Sequence, residues 1–347
     1  TDTPELRLFG DGNTWQSIVG ASVLLWVVHF LVLRGVQTAA GINLVATLAK
    51  LLPLGAFVAL AALAFQLDTF RLDFSGLALG VPVWEQVKNT MLITLWVFIG
   101  VEGAVVVSAR ARHKRDVGRA TLLAVLSALA VYLLVTLLSL GVVPRSELAE
   151  MRNPSMAGLM VRLMGSWGEI VIAAGLIVSV CGAYLSWTIM AAEVPFLAAT
   201  HKAFPRLFAR QNSNNAPSSS LWLTNISVQV SLVLIWLTAS DYGTLLTIAS
   251  EMILVPYLLV GAFLLKIATR PLHKAVAIGA CIYGIWLLYA SGPVHLLLSV
   301  VLYAPGLLVF LYARRTHQHD RSLKRREVAL IGLLLVAAVP ATWMLVG

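Results

Sequence analysis

A carboxylate set between glycines inside an apolar run is the first chemistry this sequence offers. In Trp96-Val-Phe-Ile-Gly-Val-Glu-Gly-Ala104, Glu102 follows Gly100 by two residues and directly precedes Gly103. Each glycine lowers helix propensity by about 1 kcal/mol relative to alanine. A helix can therefore open over Ile99, Gly100, Val101, Glu102 and Gly103, leaving backbone carbonyls and amides to meet a ligand, as discontinuous helices do at the midplane of secondary transporters. The alternative is that the glycines permit close helix packing while Glu102 bonds a neighbouring helix. Two tryptophans belong to the same chemistry. Trp96, six residues before Glu102, and Trp187 both sit within apolar runs, away from their ends. An indole facing an aqueous cavity covers a cationic side chain with about 2 kcal/mol of cation–π attraction when desolvated; core or lipid-facing packing is the other reading for both.

Ionisable side chains inside apolar spans are costly and mark functional positions by default. Besides Glu102, two acids qualify. Ser250-Glu251 precedes Pro256 in Ile248-Ala-Ser-Glu-Met-Ile-Leu-Val-Pro-Tyr257, and Glu251 is a proton or cation site or a partner in an interhelical hydrogen bond. Glu193 lies toward the end of its run, where snorkelling or pairing with Lys202 accounts for it. The candidate substrate-binding set is thus Trp96, Ile99, Gly100, Val101, Glu102, Gly103, Trp187, Ser250 and Glu251. No nucleophile and base constellation points to catalysis. His113-Lys-Arg-Asp116 is crowded with cations, and Cys181 and Cys281 lie in apolar runs as plain core residues without metal-ligand spacing. No enzyme activity, metal or cofactor is expected.

The elements that must position these residues are membrane helices. Of 347 residues 59% are hydrophobic and 12% charged, with a mean hydropathy of +0.87, against roughly 25% charged in soluble domains. Ten runs meet or approach the roughly 20 residues that cross a bilayer: 16–34, 40–65, 87–109, 118–143, 169–199, 220–239, 243–268, 274–291, 293–313 and 328–346. They are continuously apolar and lack the in/out alternation of barrel strands, so the predicted fold class is an all-α polytopic membrane protein. Counting Lys and Arg in alternate loops puts 18 of the 25 on one side, including Arg110 to Arg119 and Arg314 to Arg326, and that side is cytoplasmic. The net charge of +9 is thereby explained by topology, with no nucleic acid as partner. Between spans, Met156 to Met164 after Asn153-Pro154 reads as a short amphipathic helix over the bundle, and Gln211 to Ser218 as a polar turn cluster.

Leu95 to Ala104 followed by the basic Arg110-Ala-Arg-His-Lys-Arg-Asp-Val-Gly118 resembles the sixth helix and next loop of the basic amino acid/polyamine antiporters of the amino acid-polyamine-organocation superfamily. Ser186-Trp-Thr-Ile-Met-Ala-Ala-Glu-Val-Pro195 with Lys202 to Arg210 is similar to the eighth helix and its exit, and Val255-Pro-Tyr257 to the tenth. The resemblance runs over nearly the whole chain. It implies two inverted repeats of five helices with the substrate at the midplane, Trp96 as an aromatic lid, Trp187 as a cavity wall, and Glu102 coupling the opened helix to the gates or sensing the amino acid. It implies alternating access in a bacterial inner membrane, with arginine entry tied to ornithine exit, cationic amino acids and the lipid bilayer as partners, and a homo-oligomer left open. Within one transmembrane domain, 1–347, residues 1–65 would be the last two helices of the first repeat, 87–268 the second repeat, and 274–347 the extra C-terminal helices. The polar start from Thr1 to Thr14 reads as an interior cut. Three further helices would precede the first span, and the piece alone is expected not to transport. A proton-coupled amino-acid or polyamine permease and a non-transporting helical subunit of a membrane complex are the competing readings.

Overall fold

This computed structural model describes residues 14–316, apart from 73, 77, 78, 107, 109, 110, 112, 152, 153 and 239–241, together with 325–346. The polar start lies outside the described residues except for Thr14, and so do Arg110, Arg112, Arg321 and Lys324 of the basic loops. In chain order the helices are α1 (Trp15–Leu33), α2 (Val36–Leu63), α3 (Leu67–Arg71), α4 (Val83–Trp96), α5 (Gly103–Val106), α6 (Lys114–Val142), α7 (Arg145–Glu150), α8 (Ser155–Met164), α9 (Ser166–Thr200), α10 (Ser218–Thr238), α11 (Tyr242–Ile267), α12 (Pro271–Ser291), α13 (Pro293–Thr316) and α14 (Arg325–Val346). No strand occurs among the described residues. Helix satisfies every backbone N–H and C=O within the segment, which a bilayer without water demands.

Among the described residues seven helices are long and apolar enough to cross a membrane. Of the three remaining expected spans, 87–109 is interrupted, as the glycines predict, into α4 and α5. The other two are the single helices α13 and α14, whose side chains lie partly outside the described set. The expected amphipathic segment is α8, which buries Leu159 and Met160.

Three small cores tie the helices together. Val28 and Val32 of α1 pack with Leu185, Ile189 and Ala192 of α9 and Leu221 of α10. Phe57 and Ala61 of α2 pack with Val143, Leu159, Met160 and Ile172, which joins α6, α8 and α9. Leu95 of α4 packs with Leu254 of α11 and Leu287 of α12. Since apolar surface gains little by leaving a lipid environment, polar side chains carry much of the helix-to-helix specificity. The α1–α10 seam shows this: His29 Nδ1 and Asn225 Nδ2 are 2.8 Å apart and both residues are buried. The Trp26 indole N–H donates to Gln229 Oε1 at 3.1 Å, and Gln229 in turn donates to Ser22 Oγ at 2.9 Å. The polar turn cluster reaches the same helix, as Asn212 and Asn214 donate to the Leu33 carbonyl at 2.7 and 3.1 Å and satisfy the C-terminal end of α1.

Two sequence expectations are corrected here. Glu193 does not snorkel: it is 3% exposed, while Lys202 is exposed. The carboxylate sits on the α9 face that turns toward the other helices, and the side chain is too short to leave it. Cys181 is exposed rather than in a core, because an apolar run in a membrane protein has outward faces as apolar as its inward ones.

The junction of α8 and α9 gives a stability prediction. Gly168 is buried in the first turn of α9, and a Cβ there would overlap the Met160 carbonyl, which is backbone and cannot swing aside. Gly168→Ala should lower stability by about 1–3 kcal/mol through overpacking, seen as a lower Tm in detergent. Gly118→Ala, where a Cβ meets nothing within 4 Å, should leave Tm unchanged or raise it.

Candidate functional site

Between α4 and α5 the chain leaves the α-helix. Ile99 donates to the Trp96 carbonyl at 3.1 Å, Val101 to Phe98 at 3.3 Å and Gly103 to Gly100 at 3.0 Å, so three-residue turns replace the four-residue ladder. Gly100 has φ +105°, a conformation that side chains with a Cβ rarely adopt. The glycines also allow close approach. A Cβ on Gly100 would lie 3.1 Å from Trp187 Cζ2, and one on Gly103 would lie 2.8 Å from Met190 Sδ. The helix opens at the glycines, and the opened stretch lies directly on α9.

Glu102 keeps that stretch in place. Its Oε2 accepts the Gly100 N–H at 2.9 Å and the Tyr257 O–H at 3.1 Å, linking the opened segment to itself and to α11. From the other side Tyr132 of α6 donates to the Val97 carbonyl at 2.9 Å, and its ring meets Phe98 edge-on at 5.5 Å.

Beside the opened segment lies a cavity of about 700 Å³, within the 300–1,000 Å³ common for small-molecule sites. Trp96 and Ile99 form one wall, Val180, Ala183, Tyr184 and Trp187 of α9 a second, and Ala249, Met252, Ile253 and Pro256 of α11 a third. Pro256 shapes the last wall. A proline inside a helix has no N–H for the carbonyl four residues earlier, here that of Met252. Tyr303 of α13 fills the vacancy by donating to that carbonyl at 2.6 Å. No acid or base charged at neutral pH is among the described lining residues, so a cation beside them meets aromatic faces.

Of the nine sequence candidates, Trp96, Ile99 and Trp187 line the cavity. Gly100 lies against Trp187, while Val101, Glu102 and Gly103 complete the opened segment behind them. Ser250 and Glu251 are buried, at 0% and 5% exposure, and are not among the lining residues. At 100° per residue, Glu251 lies about 200° round α11 from the lining Ala249. Sequence reasoning passed over Tyr184, Tyr257, Tyr132 and Met252. Only Tyr184 had a usable signal, since it stands three residues before Trp187 and so shares its helix face.

The amino acid permease family matches residues 5–334. The chain is 86% identical over 347 residues to a provisionally named arginine/ornithine antiporter of Escherichia coli (strain K12), covering 100% of this chain and 75% of that relative. It is 44% identical over 327 residues to the arginine/ornithine antiporter of Pseudomonas aeruginosa, covering 88% of this chain and 68% of that protein. It is 38% identical over 355 residues to the arginine/agmatine antiporter of Chlamydia caviae, covering 97% and 73%. Shared hydropathy alone does not produce identity of that extent, and the chain belongs to the amino acid permease family.

Proposed function

We propose that this chain, a multi-pass protein of the bacterial inner membrane, exchanges cationic amino acids by alternating access, with arginine entering as ornithine leaves. The observation that carries the reading is the aromatic cavity set against a helix that opens at Gly100. Opened backbone offers carbonyls to the substrate's α-amino group and amides to its carboxylate. Trp96 and Trp187 offer faces to a guanidinium or ammonium head. The names of the relatives supply the two substrates. In this reading the interrupted helix formed by α4 and α5, with α6, α9, α10 and α11, is one five-helix repeat. Helices α1 and α2 belong to the other repeat, and α12 to α14 lie outside both. The exposed leucines and valines of α6 and α10 meet acyl chains.

The test reconstitutes the chain, both as it stands and extended with the part of the Escherichia coli relative that it does not match, in liposomes loaded with ornithine. Radiolabelled arginine should accumulate only when ornithine is inside, and Trp187→Leu should raise the apparent KM for arginine about tenfold, the loss of one cation–π face. Uptake into empty vesicles driven by a proton gradient would instead favour a permease. No uptake of any cationic amino acid would sink the exchanger reading.

A further inference from the structure

We infer that Tyr184 sets the preference of this cavity for cationic over neutral apolar side chains, by accepting a hydrogen bond from the substrate's guanidinium or ammonium head. The inference rests on the exchanger reading and adds a residue to it. Of the ten described lining residues, Tyr184 is the one that carries a side-chain oxygen. The two indoles donate only, the Met252 thioether is a weak acceptor, and the other six are aliphatic or proline. A guanidinium has five N–H donors and an ammonium three, with no acceptor on either. Aromatic faces attract a cation but pack against methylenes as well, so a cavity with this lining and no oxygen would still accept a leucine or methionine side chain. One correctly placed oxygen changes that balance: it satisfies a donor of a cation and gives an apolar side chain nothing.

The position suits the task. Tyr184 lies one turn from both Val180 and Trp187 on the same wall of α9. The residue packs against the α1–α9–α10 core while also lining the cavity, and its hydroxyl has the buried Thr188 of the same helix as a neighbouring side-chain partner, which leaves an oxygen lone pair for a substrate donor. The polar turns at Leu33 and the His29–Asn225 pair hold that core from two directions. A phenol carried on so supported an element loses little freedom when it receives the substrate.

Tyr184→Phe removes the oxygen and keeps the ring. In proteoliposomes it should raise the KM for both arginine and ornithine by about tenfold or more, the range for hydrogen bonds to charged groups, with the maximal rate retained. In the same assay leucine and methionine should inhibit the unsubstituted protein weakly and the variant relatively better. A purely structural role would lower the maximal rate and Tm without shifting that selectivity, and this outcome overturns the inference. So does a variant with unchanged KM and selectivity in a preparation that exchanges arginine for ornithine, and there the exchanger reading survives. An unsubstituted protein that exchanges no cationic amino acid removes both. Trp187→Leu serves as the contrast: it should weaken cationic substrates through the lost cation–π face and neutral ones through the lost wall, so neutral inhibitors gain nothing in absolute terms.

Discussion

Gly100→Ala is expected to cut arginine–ornithine exchange on the order of a hundredfold, the equivalent of ~2.8 kcal/mol, whereas Gly103→Ala should cost no more than severalfold. Two independent penalties fall on position 100. Its φ of +105° is open to glycine and strained for any residue with a Cβ, by about 1–3 kcal/mol. The added methyl also meets Trp187 Cζ2 at 3.1 Å, and Trp187 is a wall of the cavity. Relief therefore comes either by moving the opened backbone or by moving the wall, and both displace the site. At Gly103 the methyl meets Met190 Sδ at 2.8 Å, the far part of an unbranched and adaptable side chain. Gly103 also starts α5 with ordinary helical geometry, where alanine is the better helix former. Initial rates of labelled arginine uptake, normalised to folded protein by Tm in detergent, decide the matter. Equal losses in the two variants would show that the glycines serve packing alone.

The membrane-spanning character and the interruption near Glu102 were legible in the sequence because both are local. Twenty apolar residues, or Gly-Val-Glu-Gly within such a run, carry their meaning without reference to the rest of the chain. The amphipathic α8 was legible for the same reason. What the sequence withheld depends on helix rotation. Glu251 announces itself as an acid within a span, but whether it faces the cavity depends on how α11 is turned, and that is set by Leu254 packing with Leu95 and Leu287. Tyr257 is 155 residues from Glu102, and no spacing rule connects them. Tyr132 finds Val97 across 35 residues in the same way. Glu193 looked like an end-of-helix acid because depth along a span can be counted, whereas the azimuth that buries it cannot be counted without knowing its neighbours.

Glu102 allows the exchanger and proton-coupled readings to be separated within one residue. Glu102→Ala should lower exchange about a hundredfold, since it strips the acceptor from both the Gly100 N–H and the Tyr257 O–H. Each donor left unsatisfied away from water costs about 1–3 kcal/mol. The segment would shift to recover partners, and the cavity wall at Ile99 and Trp96 would shift with it. Glu102→Gln keeps a side-chain oxygen with two lone pairs in the same place, able to accept both bonds. Neutral acceptors make bonds roughly half as strong as ionised ones, so the loss should be nearer tenfold. Tyr257→Phe, which removes one donor and leaves the Gly100 bond, should fall between wild type and Glu102→Gln. That order, Ala below Gln below Phe at 257, follows if Glu102 works as an acceptor that holds the opened helix. If it carried a proton through the membrane instead, Glu102→Gln would abolish uptake driven by a pH gradient while sparing counterflow against internal ornithine. Measuring both modes on wild type and the Gln variant therefore tests the role of the carboxylate itself: a tenfold fall in counterflow, with no gradient-driven uptake by either protein, fits a structural acceptor within an exchanger, and gradient-driven uptake that the Gln variant alone loses fits a proton carrier.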